Sequence, residues 1–178
     1  METERLILRR LTPSDLDDLA ALYADPAVMR YYPSTRTRDD TRQRLDGMLA
    51  HYEARPGTGL WATIHKADGR FIGRCGLLIQ NMDGHEELEV GYMLAKEYWG
   101  RGLATEAARA IRDYGFRTFS NVPRLISLIR PENRPSERVA ERNSMRPVRE
   151  ITHANLVHGV WTITRPEWQR VAVTTTTP

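Results

Sequence analysis

Tyr98-Trp99-Gly100-Arg101-Gly102-Leu103-Ala104-Thr105-Glu106 is the most informative segment of this chain, because it follows an apolar strand and opens a helix. The glycines and small residues leave the backbone N–H groups from Gly100 to Thr105 free to converge on an anion at the positive end of the helix dipole. Arg101 can add positive charge. A Gly-x-Gly turn is also common in ordinary strand-to-helix connections, so the flanking sequence has to separate a phosphate cradle from a structural turn.

Length and composition indicate one folded domain. The chain has 178 residues, of which 40% are hydrophobic and 28% charged, as in ordinary globular proteins. We assign residues 1–170 to a single domain and expect the Thr-rich tail, residues 171–178, to be disordered. Because no apolar run is long enough to span a membrane and the first residues lack a signal-peptide pattern, we expect a cytoplasmic protein without a membrane partner.

The charged and metal-binding residue types exclude several classes of function. The net charge is +3, but lysines and arginines are scattered, so we expect no nucleic-acid partner. The five histidines show no metal-ligand spacing with a carboxylate or cysteine, and we expect no metal site. The single cysteine, Cys75, lies in an apolar run and is interpreted as a buried small hydrophobe.

Hydrophobic periodicity and turn residues predict an alternating order of elements. Strands are predicted over residues 5–11, 60–66, 70–80, 88–94, 125–130, 148–154 and 157–164, and helices after residue 12, over 37–54, from the glycine turn to 119, and over 135–143. Residues 81–87 are predicted to form a polar loop. In the strand over 88–94, Glu89, Gly91 and Met93 fall on the face opposite Val90 and Tyr92. The strand–helix–strand unit places the glycine turn at the carboxyl end of a parallel pair, where ligands bind.

This order of elements resembles the GCN5-related N-acetyltransferase (GNAT) superfamily over about residues 3–170. Four segments carry the resemblance, and they are most similar to the ribosomal-protein (RimJ/RimL-like) branch: Glu4-Arg5-Leu6-Ile7-Leu8-Arg9, Glu89-Val90-Gly91-Tyr92-Met93-Leu94, Trp99 to Glu106, and Asn133-Arg134-Pro135-Ser136. The resemblance implies an α/β (α+β) fold, with a twisted, mixed, mostly antiparallel sheet of about seven strands flanked by about four helices. The fourth and fifth strands would be parallel and splayed.

The resemblance also implies that acetyl-CoA is the co-substrate. Its pantetheine arm would pair with backbone at Met93, Leu94 and Ala95, and its pyrophosphate would lie on the cradle, formed by Trp99, Gly100, Arg101, Gly102, Leu103, Ala104 and Thr105. Trp99 stands where the family usually has Gln or Arg, which leaves the backbone donors in place. Asn133 would face the pantetheine or its phosphate end; its alternative role is the N-cap of the short helix, and the two roles are compatible.

Two residues are candidates for proton transfer. The tyrosine that many family members use as the acid corresponds to Ala140 here, and Ser136, one helical turn earlier, is the candidate general acid. The alternative for Ser136 is a helix N-terminal residue that bonds only to its neighbours. Glu89 lies near the family's position for the general base, and its alternative is a solvated or ion-paired residue of the sheet.

The predicted activity is acetyl transfer to the amine of a peptide or small molecule. An α-amino group with a pKa near 8 is largely neutral at pH 7 and needs only a weak base, whereas about one lysine amine in a thousand is neutral. A protein N-terminus is therefore the leading acceptor. Tyr31, Tyr32 and Trp61 either line the acceptor cleft or belong to the core. The alternatives are a small-molecule acetyltransferase and a non-catalytic acyl-CoA-binding module, and a homodimer is compatible with each.

Overall fold

A computed structural model describes residues 1–174 as a mixed α/β fold. The strands are β1 (Leu6–Arg10), β2 (Gly59–His65), β3 (Phe71–Met82), β4 (His85–Leu94), β5 (Arg124–Ile129), β6 (Arg146–His153) and β7 (Leu156–Thr164). The α-helices are α1 (Leu16–Ala24), α2 (Arg38–Ala54), α3 (Leu103–Thr118), α4 (Arg134–Arg142) and α5 (Arg165–Thr174). The sheet order is β1-β2-β3-β4-β5-β7-β6, and β4 and β5 form its parallel pair. The predicted seven-stranded, mostly antiparallel sheet is thereby confirmed.

The connection between β3 and β4 differs from the sequence-based expectation. The polar loop predicted over residues 81–87 is wrong, because β3 runs to Met82 and β4 begins at His85. Asp83 and Gly84 form the turn, with φ angles of 53° and 80°. Positive φ at both positions is what a two-residue hairpin of the type I′ class requires, and Asp-Gly supplies it. The polar residues of the predicted loop face each other across this hairpin.

Helices cover both faces of the sheet. One face packs against α3 through a core that includes Leu77, Val90 and Leu125, and the other packs against α1 and α2. Gly115 lets α3 approach closely, because a Cβ there would lie 3.1 Å from Leu125 Cδ1. Within residues 1–174, no helix has both the length and the apolar character needed to cross a membrane.

Helix α5 is absent from the elements predicted from the sequence. The Thr164 backbone N–H and hydroxyl donate to the Glu167 carboxylate at 2.7 and 2.6 Å, which stabilises the first turn. Trp168 stacks on Phe116 with ring centroids 5.1 Å apart and donates its indole N–H to Asp113. The helix takes in residues 171–174 of the tail that was predicted to be disordered, and residues 175–178 lie outside the described part of the chain.

Candidate active site

The centre of the candidate site is the opening between β4 and β5. The two strands pair at one position, Glu89 opposite Ile126. Beyond it, side chains replace the backbone pairing: the Ser127 hydroxyl donates to the Val90 carbonyl at 2.8 Å, and the Leu128 N–H donates to the Glu89 carboxylate at 3.3 Å. Backbone groups on this edge of β4 after Val90 are therefore available to a ligand.

The end of β4 presents backbone rather than side chains to this opening. The Ala95 N–H donates to the Ile72 carbonyl of β3 at 2.8 Å, so the alternation along the strand directs the Leu94 N–H and C=O toward β5. The Leu94 carbonyl accepts the Trp99 indole N–H at 2.7 Å. Met93 and Leu94 are buried, whereas the Trp99 side chain is 48% exposed. Of the two backbone groups of Leu94, the N–H is therefore the one that remains for a ligand.

The glycine turn has the conformation that an anion cradle needs. Gly100 and Gly102 have φ angles of 74° and 78°, and Gly102 is the N-cap of α3. A Cβ added to Gly100 would meet no atom within 4 Å, so the space beside the turn is open. The first N–H groups of α3, through Thr105, have no carbonyl partner within the helix and lie at its positive end. These features fit a bound pyrophosphate.

An N-terminal clasp holds the cradle in place. The Arg5 backbone N–H and Nε donate to the Glu106 carboxylate at 2.9 and 2.7 Å, and Arg5 Nη1 donates to the Arg101 carbonyl at 2.9 Å. Burial acts to raise the pKa of Glu106, but hydrogen bonds from Thr3 and Arg5 hold it below its usual value. The clasp ties the segment before β1 to both sides of the glycine turn, and nothing in the sequence spacing of these residues indicates the contact.

We expect Glu106→Gln to raise the KM for acetyl-CoA about 3- to 10-fold, with little change in kcat, because the loss of the charge-assisted bonds loosens the cradle. Steady-state kinetics measure the effect. Glu86→Gln is the matched control, since it removes an exposed ion pair with Arg55 that lies away from the cradle. Equal KM values for the two variants would contradict a role of the clasp in binding.

Glu89 is a buried carboxylate beside the opening. Its side chain is mostly enclosed, and it accepts the Gln80 Nε2–H at 2.6 Å as well as the Leu128 N–H. Burial raises the pKa of Glu89, and the hydrogen bonds together with electrostatic interactions with His153 and Arg74 offset part of that rise. A carboxylate with a raised pKa is a stronger base than an exposed one. Sequence reasoning missed Gln80, because only the pairing of β3 with β4 brings it to Glu89.

The N-terminus of α4 lies on the other face of β4. Asn133 caps this helix, and its Oδ1 accepts the Ser136 N–H at 3.2 Å. The Ser136 carbonyl accepts the Tyr92 hydroxyl at 2.9 Å, and burial raises the pKa of that phenol. The Ser136 side chain also forms a hydrogen bond with Tyr92, which acts to lower that pKa but does not offset burial. Because Tyr92 and Glu89 point to opposite faces of β4, the two candidate proton-transfer residues flank the opening.

The three aromatic residues considered for the acceptor cleft fall in different places. Tyr32 is 43% exposed on the connection between α1 and α2, and Tyr31 is half-buried next to it. Trp61 belongs to the buried core on the α3 face and contacts Tyr114 edge-to-face, with ring centroids 5.4 Å apart. Trp61 therefore takes the core position that the sequence left open, and Tyr32 lies on the face that carries Glu89.

Comparison with known proteins identifies close relatives. Residues 5–146 match the family model described as "Acetyltransferase (GNAT) domain". The chain is 38% identical to the uncharacterized protein YkkB of Bacillus subtilis over 80% of this chain and 83% of that protein. It is 35% identical to the uncharacterized N-acetyltransferase p20 of Bacillus licheniformis over 75% of each. A solved acetyltransferase of Agrobacterium tumefaciens has a TM-score of 0.75 at 29% identity and covers 93% of this chain and 94% of its own.

Relatives that are named for an acceptor are more distant. Spermidine N(1)-acetyltransferase of Escherichia coli is 30% identical over 54% of this chain and 55% of its own. The structure of RimL, the ribosomal L7/L12 alpha-N-protein acetyltransferase, in complex with coenzyme A, has a TM-score of 0.75 and covers 93% of this chain and 97% of that one. At 17% identity, that likeness shows a common fold and no more.

Proposed function

The chain belongs to the GNAT acetyltransferase family, and on that basis we propose that it transfers the acetyl group of acetyl-CoA to a primary amine, with a protein or peptide N-terminal α-amino group as the leading acceptor. The observation that carries the proposal is the open edge of β4, which has a buried carboxylate beside it and a glycine turn beyond it. The fold and the family membership identify acetyl-CoA as the co-substrate. The acceptor and the roles of individual residues are the proposed part.

Named segments of this chain would hold the co-substrate. The N–H groups from Gly100 to Thr105 would bind the pyrophosphate, and the backbone of residues 93–95, with Asn133, would position the pantetheine arm. When bound, acetyl-CoA supplies an activated thioester. The Leu94 N–H faces the opening and would stabilise the oxyanion that forms as the acceptor amine attacks the acetyl carbonyl.

Proton transfer is assigned to the two sides of the opening. Glu89 would take a proton from the attacking amine, directly or through a water molecule, and its raised pKa makes it a stronger base than an exposed carboxylate. The Ser136 hydroxyl would donate a proton to the departing thiolate. Tyr92 would keep Ser136 in position through its hydrogen bond to the Ser136 carbonyl.

The acceptor class is supported by chemistry rather than by relatives. An α-amine is substantially neutral at pH 7 and suits a carboxylate base, which favours a protein N-terminus and the RimJ/RimL-like branch. A small-molecule amine is the second candidate acceptor, because a relative of 30% identity is named a spermidine N(1)-acetyltransferase. A non-catalytic acyl-CoA-binding module is the third, because Ala140 replaces the tyrosine that many family members use.

The first test is the thermal stability of the purified protein with and without acetyl-CoA. At about 100 times its Kd, acetyl-CoA should add roughly 2.7 kcal/mol to the free energy of unfolding, which raises Tm by about 5–10 °C. ATP at the same concentration should give a much smaller shift. Equal Tm shifts with acetyl-CoA and ATP would contradict the proposed cradle. Measuring thiol release with a panel of amines then distinguishes an enzyme from a binding module.

A further inference from the structure

Arg74 on β3 is a buried cation without a carboxylate partner. Its side chain is 8% exposed, and no ion pair involves it within residues 1–174. Its Nε donates to the Tyr23 hydroxyl at 2.6 Å, and its guanidinium carbon lies 5.5 Å from the centroid of the Tyr23 ring. Arg112, which is equally buried, has the partner that Arg74 lacks, since it pairs with Asp113 at 2.7 Å.

The guanidinium keeps its charge in this setting. Burial acts to lower the pKa of Arg74, yet the hydroxyls of Tyr23 and Tyr32 hold it above its ordinary value. Neutral phenols accept hydrogen bonds but do not compensate a full charge, and a buried charge without a counterion is costly. The planar fork of an arginine matches a carboxylate, to which it can donate two parallel hydrogen bonds.

Strand register places Arg74 and Glu89 near each other on the β3–β4 pair. Arg74 is opposite Met93, Gly76 is opposite Gly91, and Leu78 is opposite Glu89, so Arg74 and Glu89 share a face of the sheet. Met93, which is opposite Arg74, lies four residues along β4 from Glu89. The backbones of Arg74 and Glu89 are therefore about 14 Å apart, and their long side chains can come closer. The positive charge of Arg74 acts on Glu89 across this span.

Two glycines lie between Arg74 and Glu89 on this face. Gly76 and Gly91 are paired there: Gly91 is half-exposed, whereas Gly76 is buried, because a Cβ on it would lie 2.0 Å from the Gly59 carbonyl oxygen of β2. A Cβ on Gly91 would contact only the Leu78 side chain, at 3.1 Å. Tyr32, on the helix connection that covers this face, is exposed and interacts with Arg74, so Tyr32 and Gly91 are the residues of this region that reach solvent.

We propose that Arg74 binds a carboxylate of the acceptor, so that the substrates are primary amines that carry an acidic group, held with the amine toward Glu89 and the carboxylate at Arg74. This specificity rests on the proposed acetyltransferase function. Two sources share the chemistry, a free amino acid and a peptide with an acidic residue next to its N-terminus. A polycation such as spermidine is disfavoured, because Arg74 would repel it.

The test compares acceptors that differ in one carboxylate. Initial rates of thiol release are measured for β-alanine against β-alaninamide, and for a peptide amide that begins Ala-Asp against one that begins Ala-Asn, with kcat/KM expressed per neutral amine. In the wild-type protein, we expect the acid to be preferred in at least one pair, and the preferred pair identifies the source. Arg74→Met should lower that acid-to-amide ratio about 10- to 100-fold and leave the KM for acetyl-CoA unchanged.

Controls separate recognition from a structural role. Arg10→Met removes an exposed arginine of β1 that lies over the Tyr52 ring, and it should leave the ratio unchanged. Arg74→Lys keeps the charge but not the planar guanidinium, and it should give an intermediate acid-to-amide ratio. This variant replaces Arg74→Met in the test if Arg74→Met does not fold. A purely structural Arg74 would lower the rates for acid and amide equally.

The outcomes for the two proposals differ. If the wild-type protein acetylates neutral amines and prefers no acid in either pair, the Arg74 proposal is overturned and the proposed function stands. If no amine is acetylated although acetyl-CoA binds, the proposed function fails, and calorimetric titration with β-alanine and the Ala-Asp peptide decides about Arg74. Binding that Arg74→Met abolishes supports the proposal, and no binding to the wild-type protein overturns it.

Discussion

Glu89→Gln is expected to lower kcat about 10²- to 10⁴-fold while the Kd for acetyl-CoA stays within about twofold of the wild-type value, because a general base is lost without a change in the cradle. Steady-state kinetics and calorimetry measure the two quantities. Glutamine fits the site: its carbonyl can accept the Leu128 N–H, and the Gln80 amide can turn to accept from the new side chain. Gln80→Ala is the companion variant, and it should have a smaller effect on kcat.

The same variant tests the burial of Glu89 through stability. A pKa that is raised in the folded state means that folding favours the protonated form, so this stabilisation is complete at low pH and is lost as the pH rises through the folded-state pKa. Glu89→Gln should therefore match the wild-type Tm near pH 4 and exceed it at pH 8, by about 2–4 °C for each 1 kcal/mol. An unchanged kcat would remove Glu89 from the mechanism, and a Tm difference independent of pH would contradict its buried charge.

Thr105→Glu is expected to weaken acetyl-CoA binding about 100-fold, because it places a negative charge in the first turn of α3, where the pyrophosphate would lie. The change should not harm folding. An acidic residue near a helix N-terminus is favourable by about 0.3–1 kcal/mol, and Thr105 is half-buried and not confined by a hydrogen bond of its side chain. Calorimetric titration with acetyl-CoA gives the Kd, and thermal unfolding without ligand gives the stability.

Thr105→Gln is the matched control for this variant, since it adds nearly the same volume without the charge. Its Kd should stay within a few-fold of the wild-type value, and raising the salt concentration should reduce the gap between the two variants. If both weaken binding equally, the effect is steric. If neither weakens it, the pyrophosphate does not bind at the start of α3.

Most elements of the fold could be predicted because their signals are local. The alternation in β4 and the small-residue face of α3 are periodicities within a few turns of chain, and the Gly100 to Gly102 turn requires positive φ wherever it occurs. The errors have local causes as well. Asp83-Gly84 is a strong hairpin signal, but the polar residues on both sides of it favour a loop. The capping interaction between Thr164 and Glu167 indicates the start of α5, which is followed by a tail of low complexity.

The candidate site was only partly predictable. Glu89, Ser136 and the cradle follow from motifs along the chain, and the alternation in β4 already separates Glu89 from Tyr92. The neighbours of these residues do not follow. Gln80 reaches Glu89 through the β3–β4 pairing, Arg5 reaches Glu106 across about a hundred residues, and Trp61 is in the core although its sequence context also suits a cleft.

The chain alone was enough to identify the family and to predict a site for acetyl-CoA at the glycine turn, because short motifs and periodic patterns depend on neighbours in sequence. Folding was needed to reveal that Glu89 is desolvated, that Arg74 has no counterion and that a pair of glycines lies between them. Burial and ion pairing depend on which distant residues are brought together, and they set the pKa values and charges of a site. A pattern along the sequence does not give the distances between residues that are far apart in the chain.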